Sequence, residues 1–204
     1  MATPDGDSTI AAYEECAIDY AHSTRPDANL CATPGLRELL RIVRKDLPVL
    51  EVGSGPGWDA DWLEASGLDV RRTDATTAFV KFQRDRGKSA ERLNLLEDDL
   101  GGPYAAIVAM YVFQHIDRRA LPTVLEKAAR AVAPDGLVLF STREGEGEAL
   151  EQRASGGRYY VALWSAEELD AIASSLGLET LWSRSSVDSE GAWRFLLLRL
   201  RTAV

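Results

Sequence analysis

The stretch from Val49 to Leu63 leaves this chain few ways to fold. Val49-Leu50-Glu51-Val52 is a short apolar run interrupted by one carboxylate. Gly53-Ser54-Gly55-Pro56-Gly57 breaks it, and Trp58-Asp59-Ala60-Asp61-Trp62-Leu63 resumes with helical composition. A buried strand, a tight turn and a helix follow from that order. Glycine at three alternate positions lets the backbone bend sharply and approach a ligand closely. Glu51 lies one residue from the strand's end, where a buried charge is costly unless a fixed partner meets it.

The rest of the chain repeats the strand-helix alternation. Thr33-Pro34 opens a helix with Thr as N-cap and Pro at its first position. Leu36, Leu39, Leu40 and Val43 form its apolar stripe, and Arg37, Arg41, Arg44 and Lys45 its solvated face. After the glycine turn, Asp59 and Asp61 fall in the first helical turn, where carboxylates complement the helix dipole. A second strand is expected over 68–73, a helix over 79–86, a short third strand over 92–96 and a strongly apolar fourth over 104–112. A helix over 119–132 and a fifth strand over 137–141 come next. The Glu- and Gly-rich stretch 142–157 reads as a long loop. Ser165-Ala166-Glu167-Glu168 is a capping box, and its helix stops at Gly177. Strands over 178–187 and 193–200, joined by Asp188-Ser189-Glu190-Gly191, form a hairpin. Alternation of this kind requires a mostly parallel sheet covered by helices on both faces.

Composition excludes several classes. The net charge of -9 over 204 residues opposes nonspecific binding to a phosphate backbone, so nucleic acid is disfavoured as a partner. Cys16 and Cys31 have neither zinc spacing nor a disulfide framework, and no metal is expected. The polar, acidic start of the chain is unlike a signal peptide. No apolar run reaches the ~20 residues of a membrane span. A cytoplasmic protein free of the membrane is the expectation; the oligomeric state is open. Residues 1–9 read as a loose tail, 10–20 as a helix, and 1–32 together as a tail and cap ahead of a domain over 33–204.

In an open parallel sheet, ligands bind beyond the carboxyl ends of the strands, beside the first of them. The glycine turn lies there. Asp74 ends the second strand 21 residues after Gly53, the interval at which an acid reaches ribose hydroxyls.

Glu51-Val52-Gly53-Ser54-Gly55-Pro56-Gly57, Asp74, and the segment from Tyr104 to Ile116 resemble the class I S-adenosylmethionine-dependent methyltransferases, from about Leu36 to the C-terminus. The resemblance implies an α/β, Rossmann-like three-layer sandwich with a seven-stranded sheet in the order 3-2-1-4-5-7-6 and strand 7 antiparallel. It implies S-adenosyl-L-methionine as cofactor, with Gly53, Ser54, Gly55 and Gly57 cradling it and Asp74 and Ala75 at its ribose. Glu51 would orient the loop or hold the ammonium. Ala109 and Met110 would pack at the end of strand four. For adenine, Asn94-Leu95 is the better match and Glu97-Asp98 the competing one.

Other features of the resemblance bear on the acceptor. Residues 109–114 lack the Asn/Asp-Pro-Pro pattern that grips planar amines, lack a cysteine for pyrimidine methylation, and place Met110 where metal-dependent relatives supply an acid. These gaps favour a small-molecule acceptor. His115, after strand four, is the candidate general base; its alternative is a buried histidine bonded to backbone. Tyr20, Arg143, Arg158 and Tyr159 are candidate substrate contacts, with Tyr13, Asn29, Glu144 and Trp164 beside them. The nearest rival is a nicotinamide-dependent dehydrogenase, whose fingerprint needs glycine at the position of Trp58. A cofactor-binding subunit without activity is the other alternative.

Overall fold

A computed structural model describes residues 4–26, 33–152 and 158–201. Cys31 and Asn29 lie outside the described residues. Four parallel strands carry the centre of the sheet: β1 (Val49–Val52), β2 (Val70–Asp74), β4 (Tyr104–Ala109) and β5 (Val132–Glu144), with β3 (Ala90–Arg92) at one edge. Beyond β5 lies β9 (Gly191–Leu200), antiparallel to it, and then β8 (Leu178–Asp188), antiparallel to β9. The order is therefore β3-β2-β1-β4-β5-β9-β8, which is the expected 3-2-1-4-5-7-6 with β9 as the reversed strand.

Two faces of the sheet bury separate cores, and the strands divide between them by alternation. Leu50, Ile107, Val138, Leu196 and Leu198 point to one side, against α5 (Leu121–Ala131) and α6 (Ala166–Ser175). Val49, Val108, Leu139, Phe195 and Leu197 point to the other, against α2 (Leu36–Ile42) and α3 (Trp58–Ala65). Successive strand residues face opposite ways, so a strand covered on both sides is apolar throughout. Glu51 shares the face of Val49 and therefore points towards α2 and α3. The capping box of α6 is present as expected, Ser165 accepting from the Glu168 amide and Glu168 from the Ser165 amide.

The structure corrects several expectations. Residues 4–9 belong to a helix, α1 (Pro4–Ser23), which packs on β7 (Arg158–Trp164) and α4 (Thr77–Asp85). Thr33 does not cap α2. Gly35 holds that N-cap position at φ 89° without a side-chain bond, and the Thr33 hydroxyl donates instead to Asp59 at 2.7 Å. Strand β3 ends at Arg92, before Asn94, because Asn94 turns the chain by accepting the Leu96 amide on its own side chain. Strand β4 ends at Ala109, and Tyr111 follows with φ 60°. The expected loop after β5 instead holds β6 (Glu148–Gln152), paired antiparallel with β7, whose Leu163 and Trp164 align parallel to the end of β5. No described helix is long and apolar enough to cross a membrane.

Arg72 on β2 ties these elements beneath the glycine turn. Its side chain is 1% exposed and donates to Glu64 and Asp61 of α3, at 2.7 Å each. It also donates to the Gly57 carbonyl and to Gln83 of α4, at 3.2 Å each. Gln83 passes the restraint on, donating to the Ser54 hydroxyl at 2.7 Å and the Gly55 carbonyl at 2.9 Å. Breaking such a buried set by removing one partner costs about 3–5 kcal/mol. Arg72→Ala should lose about that much stability in urea unfolding. A loss below about 1 kcal/mol would show that the network is dispensable.

Candidate functional site

The carboxyl ends of β1, β2 and β4 open into a cavity of about 490 Å³. Parallel register sets Val52 beside Thr73, which brings the glycine turn abreast of Asp74. The Ser54 amide donates to the Thr73 carbonyl at 2.9 Å, and the Thr73 hydroxyl to the Glu51 carbonyl at 2.7 Å. Asp74 then clamps the turn: one carboxylate oxygen accepts from the Gly55 amide and the other from the Thr76 amide, both at 2.7 Å. Burial raises the Asp74 carboxyl above its usual range, against the pull of those amides.

Glycine is required at two positions of the turn for different reasons. A Cβ on Gly53 (φ 64°) would meet Val112 at 2.4 Å, whereas one on Gly57 (φ 83°) would strike Gln83 and Arg72. Gly57 thus belongs to the support beneath the turn and is absent from the cavity wall, contrary to the sequence-based assignment. Trp58 does reach the wall. Its indole packs under the Arg86 guanidinium, 4.2 Å from the ring centre, with Phe82 edge-on at 6.0 Å.

Of the expected cofactor residues, Glu51, Gly53, Ser54 and Gly55 line the cavity, as do Asp74, Ala75, Asn94, Leu95 and Met110. Ala109 does not; it is wholly buried inside the sheet. Glu97 and Asp98 are turned to the Asn94 side chain and backbone amide, outside the lining, which leaves Asn94-Leu95 facing the cavity. Among the expected substrate residues Tyr20 lines the wall, while Arg143, Arg158 and Tyr159 do not. Arg143 is buried behind it, bonded to Glu151 at 3.3 Å and stacked on Trp193. Arg158 sits exposed at the start of β7. Tyr159 is buried beneath α1, its hydroxyl 3.4 Å from the Cys16 sulfur.

Helix α1 forms a roof, with Thr9, Ile10, Tyr13 and Tyr20 facing inwards. Glu14 fastens it by accepting the Thr77 and Ala78 amides at 2.5 and 2.9 Å. These are free N–H groups of the first turn of α4, which has no cap from its own Thr76. The Thr9 hydroxyl accepts the Tyr160 amide at 3.2 Å. His115 joins roof and floor. Its Nδ1 lies 2.7 Å from the Tyr160 carbonyl, which can only accept, so that nitrogen carries the proton. Nε2 is left with its lone pair, 3.2 Å from the Tyr13 hydroxyl and from the Gln114 amide nitrogen.

Three features of the wall escaped the sequence reading, and they surround the expected Glu51. Asp59, read as a dipole complement, faces the cavity and has its carboxyl raised to about 6 by burial, against the Thr33 hydrogen bond. Glu51, 3% exposed, has one carboxylate oxygen without a partner. Its carboxyl is held well above the usual range by burial and then by Asp59. Gln114, 2% exposed, donates to the Tyr111 carbonyl at 2.6 Å and leaves its own carbonyl oxygen without a partner. Finally, Tyr111 and Trp193 present a ring pair at 5.0 Å, with Asp188 and Glu190 beside them on the hairpin tip. Only the apolar strand signal of 193–200 and the turn signal of 188–191 were visible in sequence.

A family model described as a methyltransferase domain matches residues 21–182. A search of curated proteins returns no match. Among solved structures, the chain resembles magnesium protoporphyrin IX methyltransferase from Synechocystis PCC 6803 with bound S-adenosylmethionine. The TM-score is 0.74 at 13% identity, over 98% of this chain and 99% of that one. It also resembles the CcbJ methyltransferase from Streptomyces caelestis (0.72, 18%, over 96% and 100%). A third is the 1,6-didemethyltoxoflavin-N1-methyltransferase from Burkholderia thailandensis (0.67, 16%, over 99% and 92%). At these identities the likeness is one of fold.

Two outcomes follow from the site's geometry. The folded state holds the Asp59 proton more tightly than the unfolded chain does, so the stability it confers is full below pH 3.8 and lost as pH rises through about 6. Asp59→Asn should therefore melt higher than wild type at pH 8, and the gap should close as pH falls towards 4. A gap independent of pH would contradict the burial of that charge. Glu14→Ala should release α1, seen as faster proteolysis within residues 4–26 while the sheet melts nearly unchanged. Equal cleavage rates would show that Glu14 does not fasten the roof.

Proposed function

This chain belongs to the methyltransferase domain family, and on that basis we propose that it methylates a small-molecule acceptor with S-adenosyl-L-methionine as donor. When bound, that donor supplies a sulfonium-activated methyl group for in-line displacement. The observation that carries the assignment is Glu51, a buried carboxylate with one oxygen unpartnered at the cavity wall beside the glycine turn. Such a group stays ionised only if a cation meets it, and the donor's ammonium is a cation of the right kind. Asp74 keeps lone pairs beyond those given to Gly55 and Thr76, and a carboxylate so placed accepts from both ribose hydroxyls. Asn94 and Leu95 are assigned to the adenine.

Among the described residues, no Lys or Arg lines the cavity, and five carboxylates do. A nicotinamide dinucleotide brings a pyrophosphate, which this wall would repel. Methyl transfer needs mainly orientation and water exclusion from the protein. The roof of α1 and its Tyr13 supply both. His115 is assigned as the base: the Tyr160 carbonyl fixes the tautomer, and Nε2, which faces the Tyr13 hydroxyl and the Gln114 amide, would take the proton of an acceptor in exchange for those contacts.

Calorimetry should show S-adenosylhomocysteine binding and no binding of NADH; the reverse result would overturn the assignment. Glu51→Gln separates the site role from a structural one. It removes a buried charge, so the free protein should gain stability at pH 8, while affinity for S-adenosylhomocysteine falls about tenfold, the scale of one charge-assisted contact. Stability and affinity moving together would argue against the ammonium contact. For His115→Ala, a folded protein with unchanged turnover on an identified acceptor would remove its catalytic role.

A further inference from the structure

Asp59 is an acid of the cavity wall that neither the sheet nor the helix dipole accounts for. It lies in the first turn of α3, just past the glycine turn, and lines the same cavity as Glu51. The Thr33 hydroxyl donates to its Oδ1 at 2.7 Å, and its Oδ2 receives no hydrogen bond among the described residues. Glu51 likewise keeps one oxygen without a partner, at 3% exposure. Two carboxylates, one from β1 and one from α3, thus meet one cavity with accepting capacity to fill.

The two acids are also electrical neighbours. Of the charges that act on Glu51, Asp59 is the largest, ahead of Arg72 from β2 and then Asp74 and Asp61. Asp59 is the largest charge acting on the Tyr111 hydroxyl as well, ahead of Asp188 and Glu190 on the hairpin tip. Its carboxylate therefore lies within reach of both β1 and the segment that follows β4.

The cations around this pair are engaged on the far side of α3 and the turn. Arg72 is held by Asp61, Glu64, Gln83 and the Gly57 carbonyl. Arg86 pairs with Asp61 and donates to the Pro56 carbonyl, and Lys88 pairs with Asp61 and Glu64. Arg25 stands 6.0 Å from the Trp58 ring centre and makes no described ion pair. Two acids placed together without a cation keep a proton until one arrives. Burial raises both carboxyls, Asp59 to about 6, and Asp59 adds to the rise at Glu51. An ammonium brings one positive charge and three N–H donors, enough to meet both acids at once.

We propose that Asp59 is a donor-binding residue: the donor's ammonium lies between the Glu51 and Asp59 carboxylates and displaces the proton they hold in the empty site. This rests on the methyl-transfer reading and adds to it a residue and a pH dependence. The exchange balances. One carboxylic acid gives its proton to solvent, the ammonium keeps its own three, and the net charge of the seat is unchanged. Protons compete with the ligand for this seat, so donor affinity rises as pH climbs through about 6 and levels off once both acids are ionised.

The test is calorimetry on the full chain with S-adenosylhomocysteine, against 5′-methylthioadenosine, which keeps the adenine and ribose and lacks the ammonium. Titration at pH 6 in two buffers of different ionisation enthalpy counts the protons. S-adenosylhomocysteine should release at least about half a proton, the share Asp59 holds there, and should tighten at least about tenfold between pH 5 and pH 7. 5′-Methylthioadenosine should release almost none and change less than about threefold. Asp59→Asn should lower the release by about half a proton and weaken S-adenosylhomocysteine several-fold at pH 7.5, with 5′-methylthioadenosine unaffected. Three results would each overturn the proposal. S-adenosylhomocysteine could bind without releasing a proton. The two nucleosides could release the same amount, which places the titrating acid at the ribose, on Asp74. Asp59→Asn could weaken S-adenosylmethionine and leave S-adenosylhomocysteine unchanged, which places Asp59 at the sulfonium. Failure of both nucleosides and of S-adenosylmethionine to bind would instead overturn the methyl-transfer reading beneath it.

Discussion

The guanidinium of Arg72 is the constraint on which the rest of the site depends. A buried cation must be paired on several sides at once, and the available partners come from different elements: Asp61 and Glu64 from α3, Gln83 from α4, and the Gly57 carbonyl from the turn. Satisfying one charge therefore fixes the angle at which α3 leaves β1 and its distance from α4. The turn between them inherits that geometry, because Gln83 also holds Ser54 and Gly55. Three glycines at alternate positions would otherwise leave this backbone unusually mobile. The cradle is rigid because a cation beneath it leaves no alternative arrangement.

The same network explains why neighbouring acids on α3 have opposite fates. Asp61 meets Arg72, Arg86 and Lys88, and its carboxyl is lowered, those bonds outweighing the effect of burial. Asp59, two residues earlier, projects to the other side of the helix and meets only the Thr33 hydroxyl among the described hydrogen bonds. Its carboxyl is raised. Sequence alone places both in a first helical turn and assigns both to the dipole. What separates them is the angular step along the helix, read against which side of α3 carries β2 and which carries the cavity.

That contrast marks how far the chain could be read without coordinates. The alternation of apolar runs, the capping box at Ser165 and the terminal pair of strands were sufficient for the order of the sheet, because each is a local signal repeated along the chain. The glycine-turn side of the cavity was legible for the same reason: Glu51, the glycine turn and Asp74 are close in sequence and brought together by one strand pairing. The opposite side was not. Tyr111, Trp193, Asp188 and Glu190 meet only through β9 inserting beside β5, and no local pattern encodes that meeting. Arg143, Arg158 and Tyr159, in and just after the expected loop, were read as substrate contacts. Extension of β5 and the β6–β7 hairpin draw that segment into the sheet, and α1, within the stretch read as a cap, covers the cavity. A Glu- and Gly-rich composition resembles a loop, yet Tyr159 to Ala162 and Trp164 are buried once β6 supplies a partner strand.

Acid placement also shows which interactions this molecule does not optimise for its own stability. Arg72, Arg86 and Lys88 could in principle neutralise the first turn of α3 entirely, yet they gather on one side and leave Glu51 and Asp59 facing each other across a partly dry wall. Burial raises the cost of ionising both and Asp59 adds to that of Glu51, so the free protein carries a standing electrostatic penalty at neutral pH. A penalty of that kind is retained where a ligand relieves it. In the proposed reaction the donor brings ammonium and sulfonium charges into a cavity whose wall, among the described residues, holds five carboxylates and no Lys or Arg. The field that weakens the empty fold is then the one that orders the donor, with Glu51 at its ammonium end.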